Sequence, residues 1–461
     1  MDLKSNEAPY RSVAPPVDDR GKHLPVSYWH TTIPMDPGPA HVGDTNCDVV
    51  ILGGGFTGLS IAIELKRMRN DLDIVVLERG VAGHGASGRN GGFAMPLIGW
   101  DLTDATKKLG ETKAKSAYAL MYQAVEHLKQ TVKTHAIDCD IEETGYLLLA
   151  TCKSRIKRVK HEVTLSDKMG FDLQYLEGDS LHQHITGPFL AGAYDPHPCI
   201  INPAKLSRGL KLLAESLGVR VYELSPMRSL ADGDPIVVRT PQGQVRAKSA
   251  VLALNGYSAS AGFMSNRIMP VHTYIVLTEP LTQSDLEATG WAEKRTSLET
   301  ARNFIHYFRL TADNRILFGG EDAELFFDGG LRDTHDGIFS RLKARFREYF
   351  PALKHVSFSH QWGGVLGVSM DMFPTFGING DQQSIFHAGC YSGHGVSLSN
   401  YAGVLMAPHI LTRLGIPVNA DRDVPFFFQR KPMFIPPEPF RYIGLQAYRT
   451  ILRAMDTIEG A

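Results

Sequence analysis

The sequence predicts an α/β fold (α+β overall), in which a parallel sheet flanked by helices is joined to a second, mostly antiparallel β-sheet. The first observation is residues 47–78, where an apolar strand, a glycine turn, an apolar helix and a second apolar strand follow one another. The second is residues 266–320, which are β-rich and carry many aromatic side chains. The third is the apolar strand 250–254, whose Asn255-Gly256 ending predicts a return of the chain to the first sheet.

The bulk composition is that of a soluble globular protein. Its 461 residues allow about two to three domains and an ample core. Hydrophobic residues make up 43% and charged residues 21%. The net charge of −1 offers no electrostatic reason to bind nucleic acid or a strongly anionic membrane. The longest apolar runs are too short for a transmembrane segment, and none is predicted.

The five cysteines are scattered and never form a Cys-x-x-Cys pair. This pattern argues against a disulfide framework and against a zinc site, so no metal is predicted. It suits a reducing compartment, and the N-terminus has no apolar signal segment. We therefore expect a cytoplasmic protein.

The strongest motif is Gly53-Gly54-Gly55-Phe56-Thr57-Gly58, which follows the apolar run 49–52 directly. Gly53 permits the tight turn, Gly55 lets the backbone approach a pyrophosphate, and Gly58 lets the helix pack close to the strand. Glu78 ends the next strand, where a carboxylate can accept both hydroxyls of an adenosine ribose. Together these features predict a Rossmann-like dinucleotide-binding unit.

Two further glycine-rich loops accompany this unit. The first, Ser87-Gly88-Arg89-Asn90-Gly91-Gly92, cannot be a helix or a central strand, so we interpret it as a loop that wraps the nucleotide. The second, 389–395, follows a short strand and opens an apolar helix, whose N-terminus can stabilise a negative charge.

These motifs together resemble the D-amino-acid-oxidase-like superfamily of FAD-dependent oxidoreductases, and within it the γ-glutamylputrescine, glycine and sarcosine oxidases. The resemblance covers nearly the whole chain. It rests on motifs spread along the sequence, namely Ser27-Tyr28-Trp29, the turn 53–60, the loop 87–92, Tyr307-Phe308-Arg309-Leu310 with Leu317-Phe318-Gly319-Gly320, and Gly393-His394-Gly395-Val396.

The resemblance implies a non-covalently bound FAD. Covalent attachment through Cys390 is the alternative, since sarcosine-oxidase relatives attach their flavin through a cysteine in the C-terminal part of the chain. Glu78 would bind the adenosine ribose, and the loop 389–396 would lie at the pyrimidine edge of the flavin. The predicted cofactor-binding residues are Gly53, Gly55, Phe56, Thr57, Gly58, Glu78, Arg79, Ser87, Gly88, Arg89, Asn90, Gly91, Gly92, Gly393, His394, Gly395 and Val396.

The resemblance also divides the chain into domains. A discontinuous FAD-binding domain is expected at 44–100, 197–265 and 356–416, and a substrate-binding domain at 101–196 and 266–355. An N-terminal arm at 1–43 and a C-terminal tail with a helix at 417–461 complete the chain. The apolar positions of that helix alternate with arginines, which fits docking on the protein's own surface, a membrane interface or a second subunit. The oligomeric state is left open, a homo-oligomer included.

Four residues are candidates for the chemistry. His394 could stabilise reduced flavin as a hydrogen-bond donor or could face solvent. Tyr391 and Trp362 could line the substrate pocket or belong to the core. Arg309 could anchor a substrate carboxylate or form a structural salt bridge.

The expected reaction is FAD-dependent oxidation of a primary or secondary amine: a polyamine derivative, an N-substituted amino acid or an amino acid. A hydride would pass to flavin N5, the imine would hydrolyse, and O2 would reoxidise the flavin to give H2O2. Two alternatives remain: an amine dehydrogenase that passes electrons to a quinone or another acceptor, and a non-catalytic flavin-binding subunit.

Overall fold

The computed structural model describes residues 26–327, 329–418 and 424–459. Its strands in chain order are β1 (Gly43–Leu52), β2 (Ile74–Leu77), β3 (Phe93–Ala94), β4 (Tyr146–Ala150), β5 (Gln174–Leu176), β6 (Ala191–Asp195), β7 (Cys199–Ile200), β8 (Arg220–Tyr222), β9 (Ser229–Ala231), β10 (Ile236–Thr240), β11 (Gly243–Leu252), β12 (Met269–Thr278), β13 (Ser297–Thr300), β14 (His306–Leu310), β15 (Ile316–Glu324), β16 (Phe358–Val368), β17 (Thr375–Asn379) and β18 (Ile385–Gly389). Its helices are α1 (Phe56–Met68), α2 (Leu102–Leu109), α3 (Glu111–Thr134), α4 (Lys153–Met169), α5 (Asp179–His182), α6 (Pro203–Ser216), α7 (Gln283–Ala288), α8 (Asp336–Tyr349), α9 (Val396–Arg413) and α10 (Phe440–Ile458).

The first sheet has the order β17-β18-β11-β1-β2-β8, with β9 and β10 attached to β11. Strands β18, β11, β1, β2 and β8 run parallel, while β17 and β10 pair antiparallel at their positions. The residues Val49 to Leu52 of β1 are fully buried, as expected for a central parallel strand covered on both faces. This sheet confirms the predicted Rossmann-like architecture, and β11 confirms the predicted return of the chain at 250–254.

Helices α1 and α9 pack against each other on one face of this sheet. Their contact is close because Gly403 lies against the backbone of Ser60, whose hydroxyl donates to the Asn400 carbonyl at 2.7 Å. Both helices start at the carboxyl edge of the sheet, α1 after β1 and α9 after β18. The two glycine-rich loops that precede them are therefore neighbours, although more than three hundred residues separate them.

The second sheet has the order β16-β12-β15-β14-β13-β4-β6-β5 and is antiparallel except for the pair β13 and β4. This confirms the predicted second sheet. Strand β16 pairs with β12 along its length, so the prediction that 356–416 belongs wholly to the first domain is wrong for Phe358–Val368. A side chain at Gly363 would lie 2.6 Å from the Tyr274 ring. The strand needs glycine there because the neighbouring aromatic ring fills the space.

Helix α10, the last helix of the described residues, lies against the second sheet. Residues 1–25 of the predicted arm and 419–423 and 460–461 of the predicted tail lie outside the described residues. Helix α10 is attached by buried ion pairs, because Arg449 donates to Asp322 and Glu324 and Asp456 accepts from Arg155. Among the helices described, none is long and apolar enough to cross a membrane.

Candidate active site

A groove opens at the carboxyl edge of the parallel sheet, where α/β proteins bind their ligands. Its volume, counted together with the open solvent at its mouth, is about 1210 Å³. It lies between the glycine turn after β1 and the loop before α9. Its lining comprises Leu52, Gly53, Gly55, Phe56, Thr57, Leu77, Glu78, Arg79, Gly83, His84, Gly85, Ala86, Ser87, Asn90, Met227, Ala253, Leu254, Asn255, Tyr257, Leu366, Tyr391, Gly393, Gly395, Val396 and Ser399.

The glycine turn has the close contacts that its sequence predicts. Gly53 has a φ of +108°, a conformation that side-chain-bearing residues rarely adopt. A Cβ on Gly58 would lie 2.0 Å from the Gly53 carbonyl oxygen, so α1 can start beside this turn only with glycine at that position. The Ser87 hydroxyl accepts a hydrogen bond from the Phe56 amide at 3.0 Å and so joins the glycine turn to the loop 87–92.

Glu78 lies at the groove with both carboxylate oxygens held by the backbone. The Gly54 and Gly80 amides each donate to it at 2.8 Å. Burial nevertheless raises the pKa of this carboxyl above its usual range. The two amides fix the orientation of the carboxylate, and each oxygen retains a lone pair that can accept from a ribose hydroxyl.

The N-terminal segment 26–32 clamps the loop 87–92. Ser27 donates to the Gly88 carbonyl at 2.7 Å, and the Trp29 indole donates to the Asn90 carbonyl at 2.9 Å. On the other side, the Trp362 indole of β16 donates to the Arg89 carbonyl at 2.8 Å. Trp29 and Trp362 are both buried. These carbonyls are satisfied from outside the groove, which leaves the inner side of the loop for a ligand.

The side chains of Arg89 and Arg309 also hold this loop. Arg89 is buried, and it donates to the His84 carbonyl at 2.7 Å and to the Asp333 carboxylate. Arg309 is buried, donates to the Gly92 and Ile201 carbonyls at 3.2 and 2.9 Å, and lies 5.0 Å from the Trp29 ring centre. Burial lowers its pKa to about 10. Among the described residues Arg309 forms no ion pair, so the expected salt bridge is absent there.

The loop before α9 is held in an unusual backbone conformation. Cys390, Ser392 and Gly393 have φ values of 61°, 51° and 94°. The Asn255 side chain accepts from the Cys390 amide at 3.0 Å, and the hydroxyls of Tyr391 and Thr57 are 2.7 Å apart. Positive φ at non-glycine residues costs free energy and is common at ligand sites. The contacts of Tyr391 and Asn255 tie this loop to the glycine turn and to β11.

Two polar atoms of the same loop have no partner within the described parts of the chain. They are the Ser392 hydroxyl oxygen and Nδ1 of His394, and both are buried. Burial lowers the pKa of the His394 ring to about 4, so the ring is neutral at pH 7. Since buried polar atoms are nearly always hydrogen-bonded, these two indicate that the loop faces a ligand. The N-terminus of α9 adds partial positive charge beside them.

The family is decided by a comparison with known proteins. A family model described as FAD dependent oxidoreductase (DAO) matches residues 48–408. The chain belongs to this family. It is an FAD-dependent oxidoreductase, and the groove, the backbone-held Glu78 and the two unpartnered polar atoms are consistent with residues that hold FAD.

Individual relatives agree with this assignment. The chain is 32% identical over 365 residues to γ-glutamylputrescine oxidoreductase of Escherichia coli. The matched region covers 78% of this chain and 83% of that protein. It is 22% identical over 338 residues to sarcosine oxidase subunit beta of Arthrobacter, and this match covers 71% of the chain and 78% of the relative. Glycine oxidase from Geobacillus kaustophilus has the same fold, with a TM-score of 0.71 and 20% sequence identity. The superposition covers 84% of this chain and 100% of the glycine oxidase chain.

The groove brings together most of the predicted cofactor residues. The predicted residues in its lining are Gly53, Gly55, Phe56, Thr57, Glu78, Arg79, Ser87, Asn90, Gly393, Gly395, Val396 and Tyr391. The predicted residues outside its lining are Gly58, Gly88, Arg89, Gly91, Gly92, His394, Arg309 and Trp362. Their roles in binding and catalysis stay predictions. Sequence reasoning missed Met227, Asn255 and Tyr257, of which Asn255 had a signal as the Asn-Gly end of a parallel strand.

We expect His394→Gln to make thermal stability less dependent on pH. The His394 pKa is about 4 in the folded protein and ordinarily 6.5. Above pH 6.5 the ring is therefore neutral in both the folded and the unfolded protein, and it does not make the free energy of unfolding depend on pH. As the pH falls from 6.5 towards 4, unfolding takes up a proton and stability is lost. Melting temperatures measured across this range should fall less steeply in the variant. His272 and His387, whose pKa values burial also lowers to about 4, should retain part of the slope. If the melting temperature of the variant depended on pH as steeply as that of the wild type, the low pKa assigned to His394 would be contradicted.

Proposed function

We propose that this oxidoreductase oxidises a primary or secondary amine to an imine, which hydrolyses to a carbonyl compound, and that O2 is the final electron acceptor. Bound FAD would supply the chemistry by accepting a hydride from the carbon next to the amine nitrogen. The relatives named for γ-glutamylputrescine and sarcosine support an amine as the donor. Their names leave the amine of this protein open.

The observation that carries the proposal is the position of the loop 87–92 between the groove and the second sheet. The Tyr307 ring of β14 lies 3.1 Å from where a Gly91 Cβ would be, and its centre is 5.7 Å from that of Phe93. Gly91 follows directly on Asn90, which lines the groove, and Phe93 lies two residues further along the chain. A substrate on this face of the sheet would therefore lie beside the cofactor, where placement accounts for much of the rate.

The protein contributes orientation and electrostatics. An ammonium cannot release a hydride, so the reacting nitrogen must be neutral. The neutral His394 ring adds no positive charge to the site at pH 7. Cys390 is fully buried and burial raises its thiol pKa to about 12, which supports non-covalent FAD since the thiolate is the reactive form.

A screen of amines tests this function. We expect the purified protein to be yellow and its flavin absorbance to bleach anaerobically with the correct amine. The rate of bleaching should rise with pH as the amine loses its proton. Primary, secondary and N-methyl amines, polyamines and both enantiomers of amino acids should be compared, with peroxide formation and dye reduction measured in parallel. Dye reduction without peroxide would favour a dehydrogenase, and a flavin that no amine bleaches would refute the proposal.

A further inference from the structure

Helix α10 turns its polar side towards the protein and its apolar side outwards. Arg449 and Asp456 lie on the inner side and are buried. The Arg449 guanidinium donates to the carboxylates of Asp322 and Glu324, and the Asp456 carboxylate accepts from Arg155. These buried ion pairs fix the rotation of the helix about its axis. A rotation that brought the apolar side inwards would leave their charges unpaired, which is costly.

The outer side of α10 is an exposed apolar stripe. Its six large side chains are between 42% and 84% exposed, and they are Phe440, Ile443, Tyr448, Ile451, Met455 and Ile458. Ala447 and Ala454 are also exposed and lie between them, and the stripe has no charged residue. Among the described residues none covers this stripe, as the exposure of its side chains shows. A contiguous apolar surface of this kind marks an interaction site.

The middle of the stripe has the spacing of a helix that pairs with another helix. Six exposed residues lie alternately four and three positions apart, and they are Phe440, Gly444, Ala447, Ile451, Ala454 and Ile458. This is the seam of a two-helix coiled coil, which is narrower than the apolar side of a helix that packs on a globular core. Half of the six are glycine or alanine, so the backbone of a second helix can approach closely.

This seam is complementary to itself when the second helix runs in the opposite direction. In a pair whose two-fold axis passes beside Arg449, at the middle of α10, position 447 of one copy faces position 451 of the other. The small Ala447 then leaves room for Ile451 of the second copy, and the same contact occurs twice. Pairing a large side chain with a small one fills the space between two helices without a clash.

We propose that the outer side of α10 binds a second copy of this chain, so that two antiparallel α10 helices form the centre of a homodimer interface. The buried area is sufficient. Fully exposed side chains of this size present roughly 150–200 Å² each, so two stripes would remove on the order of 1,200 Å² from water. This area is at the lower end of the range for specific, stable interfaces, about 1,200–2,000 Å².

A lipid surface fits the helix less well. Helices that lie on membranes use the basic residues of their polar side to bind lipid headgroups. The three arginines of α10 are instead bound to carboxylates of the protein: Arg441 to Glu438, and Arg449 and Arg453 to Asp322. The uncharged stripe therefore has no free basic partner on its own helix, whereas an uncharged stripe on a second copy complements it.

Sedimentation of the full-length holoenzyme over a range of micromolar concentrations tests the proposal. We expect the wild type to form a species of twice the monomer mass. Ile451→Glu should raise its dissociation constant by about a hundredfold or more, because two carboxylates would be buried beside the two-fold axis. Leu212→Glu is the matched control, since Leu212 is an apolar residue of α6 that is 64% exposed. This control should dimerise as the wild type does.

Cysteine variants test the antiparallel arrangement, also where Ile451→Glu does not fold. A mixture of Ala447→Cys and Ile451→Cys should form a disulfide-linked dimer on mild oxidation, whereas each variant alone, like the wild type, should not. Cross-linking of Ala447→Cys with itself would overturn the antiparallel pairing. A wild type that is monomeric at every concentration, or an Ile451→Glu variant that dimerises normally, would overturn the dimer. A monomer that floats with vesicles of phosphatidylcholine and phosphatidylglycerol would assign the stripe to a lipid surface instead.

Discussion

Gly58→Ala is expected to weaken FAD binding and to destabilise the fold. A methyl group at this position would lie 2.0 Å from the Gly53 carbonyl oxygen and 3.1 Å from the Ile51 side chain. Neither the helix α1 nor the strand β1 can move away easily, because Leu59 and Ile51 are fully buried. The clash must therefore displace the turn itself, whose amides and glycines border the groove. We expect a loss of flavin affinity of about tenfold or more and a destabilisation of about 1–3 kcal/mol.

The measurement is a flavin titration together with denaturant unfolding of the flavin-free protein. Gly444→Ala is the matched control, since Gly444 is also inside a helix but its added Cβ would meet nothing within 4 Å. That substitution should leave flavin affinity unchanged and stabilise the protein by up to about 1 kcal/mol through helix propensity. Retention of normal flavin affinity by Gly58→Ala would show that the turn is not part of the cofactor site.

Arg89→Met should produce the largest loss of stability among the changes considered. The substitution removes the bonds from Arg89 to the His84 carbonyl and the Asp333 carboxylate. It also leaves Asp333, whose side chain is 26% exposed, without this counter-ion. Breaking such a buried pair costs about 3–5 kcal/mol. Because Arg89 joins the loop 87–92 to the second sheet, we also expect weaker FAD binding.

The two effects can be separated by experiment. Denaturant unfolding measures the stability, and flavin titration of the folded fraction measures the affinity. Arg69→Met serves as the control, because Arg69 and Asp71 form a pair with 41% and 62% of their side chains exposed. Exposed pairs contribute little, so this control should behave as the wild type. An Arg89→Met variant as stable as Arg69→Met would contradict the proposed role of the buried pair.

The predictions that succeeded rest on local signals. The glycine turn, its flanking strands and Glu78 lie within about thirty residues, and each residue type there is required by backbone conformation or close packing. The helix of the C-terminal tail was recognised from its spacing of apolar residues and arginines, and it appears as α10. Local patterns suffice where one element largely determines its own environment.

The failures involve contacts that are distant along the chain. The segment 356–416 was expected in the FAD-binding domain, but Phe358–Val368 pairs with β12 of the second sheet, about ninety residues earlier in the chain. Arg309 forms no salt bridge among the described residues, and its guanidinium donates instead to the Gly92 and Ile201 carbonyls; its role as a substrate anchor stays a prediction. Backbone carbonyls leave no mark in a sequence, so such partners cannot be inferred from residue type.

The sequence by itself determined that this protein contains a dinucleotide-binding unit, since the turn at 53–58 and Glu78 require only local geometry. Its motifs also indicated FAD. Only the tertiary structure decided which residues surround the groove and which side chains meet it from the second sheet. Tyr307 shows the reason: its partners on the neighbouring strands β13 and β15 come from either side, and their register is set by packing over the whole sheet. A one-residue shift would turn its ring to the opposite face.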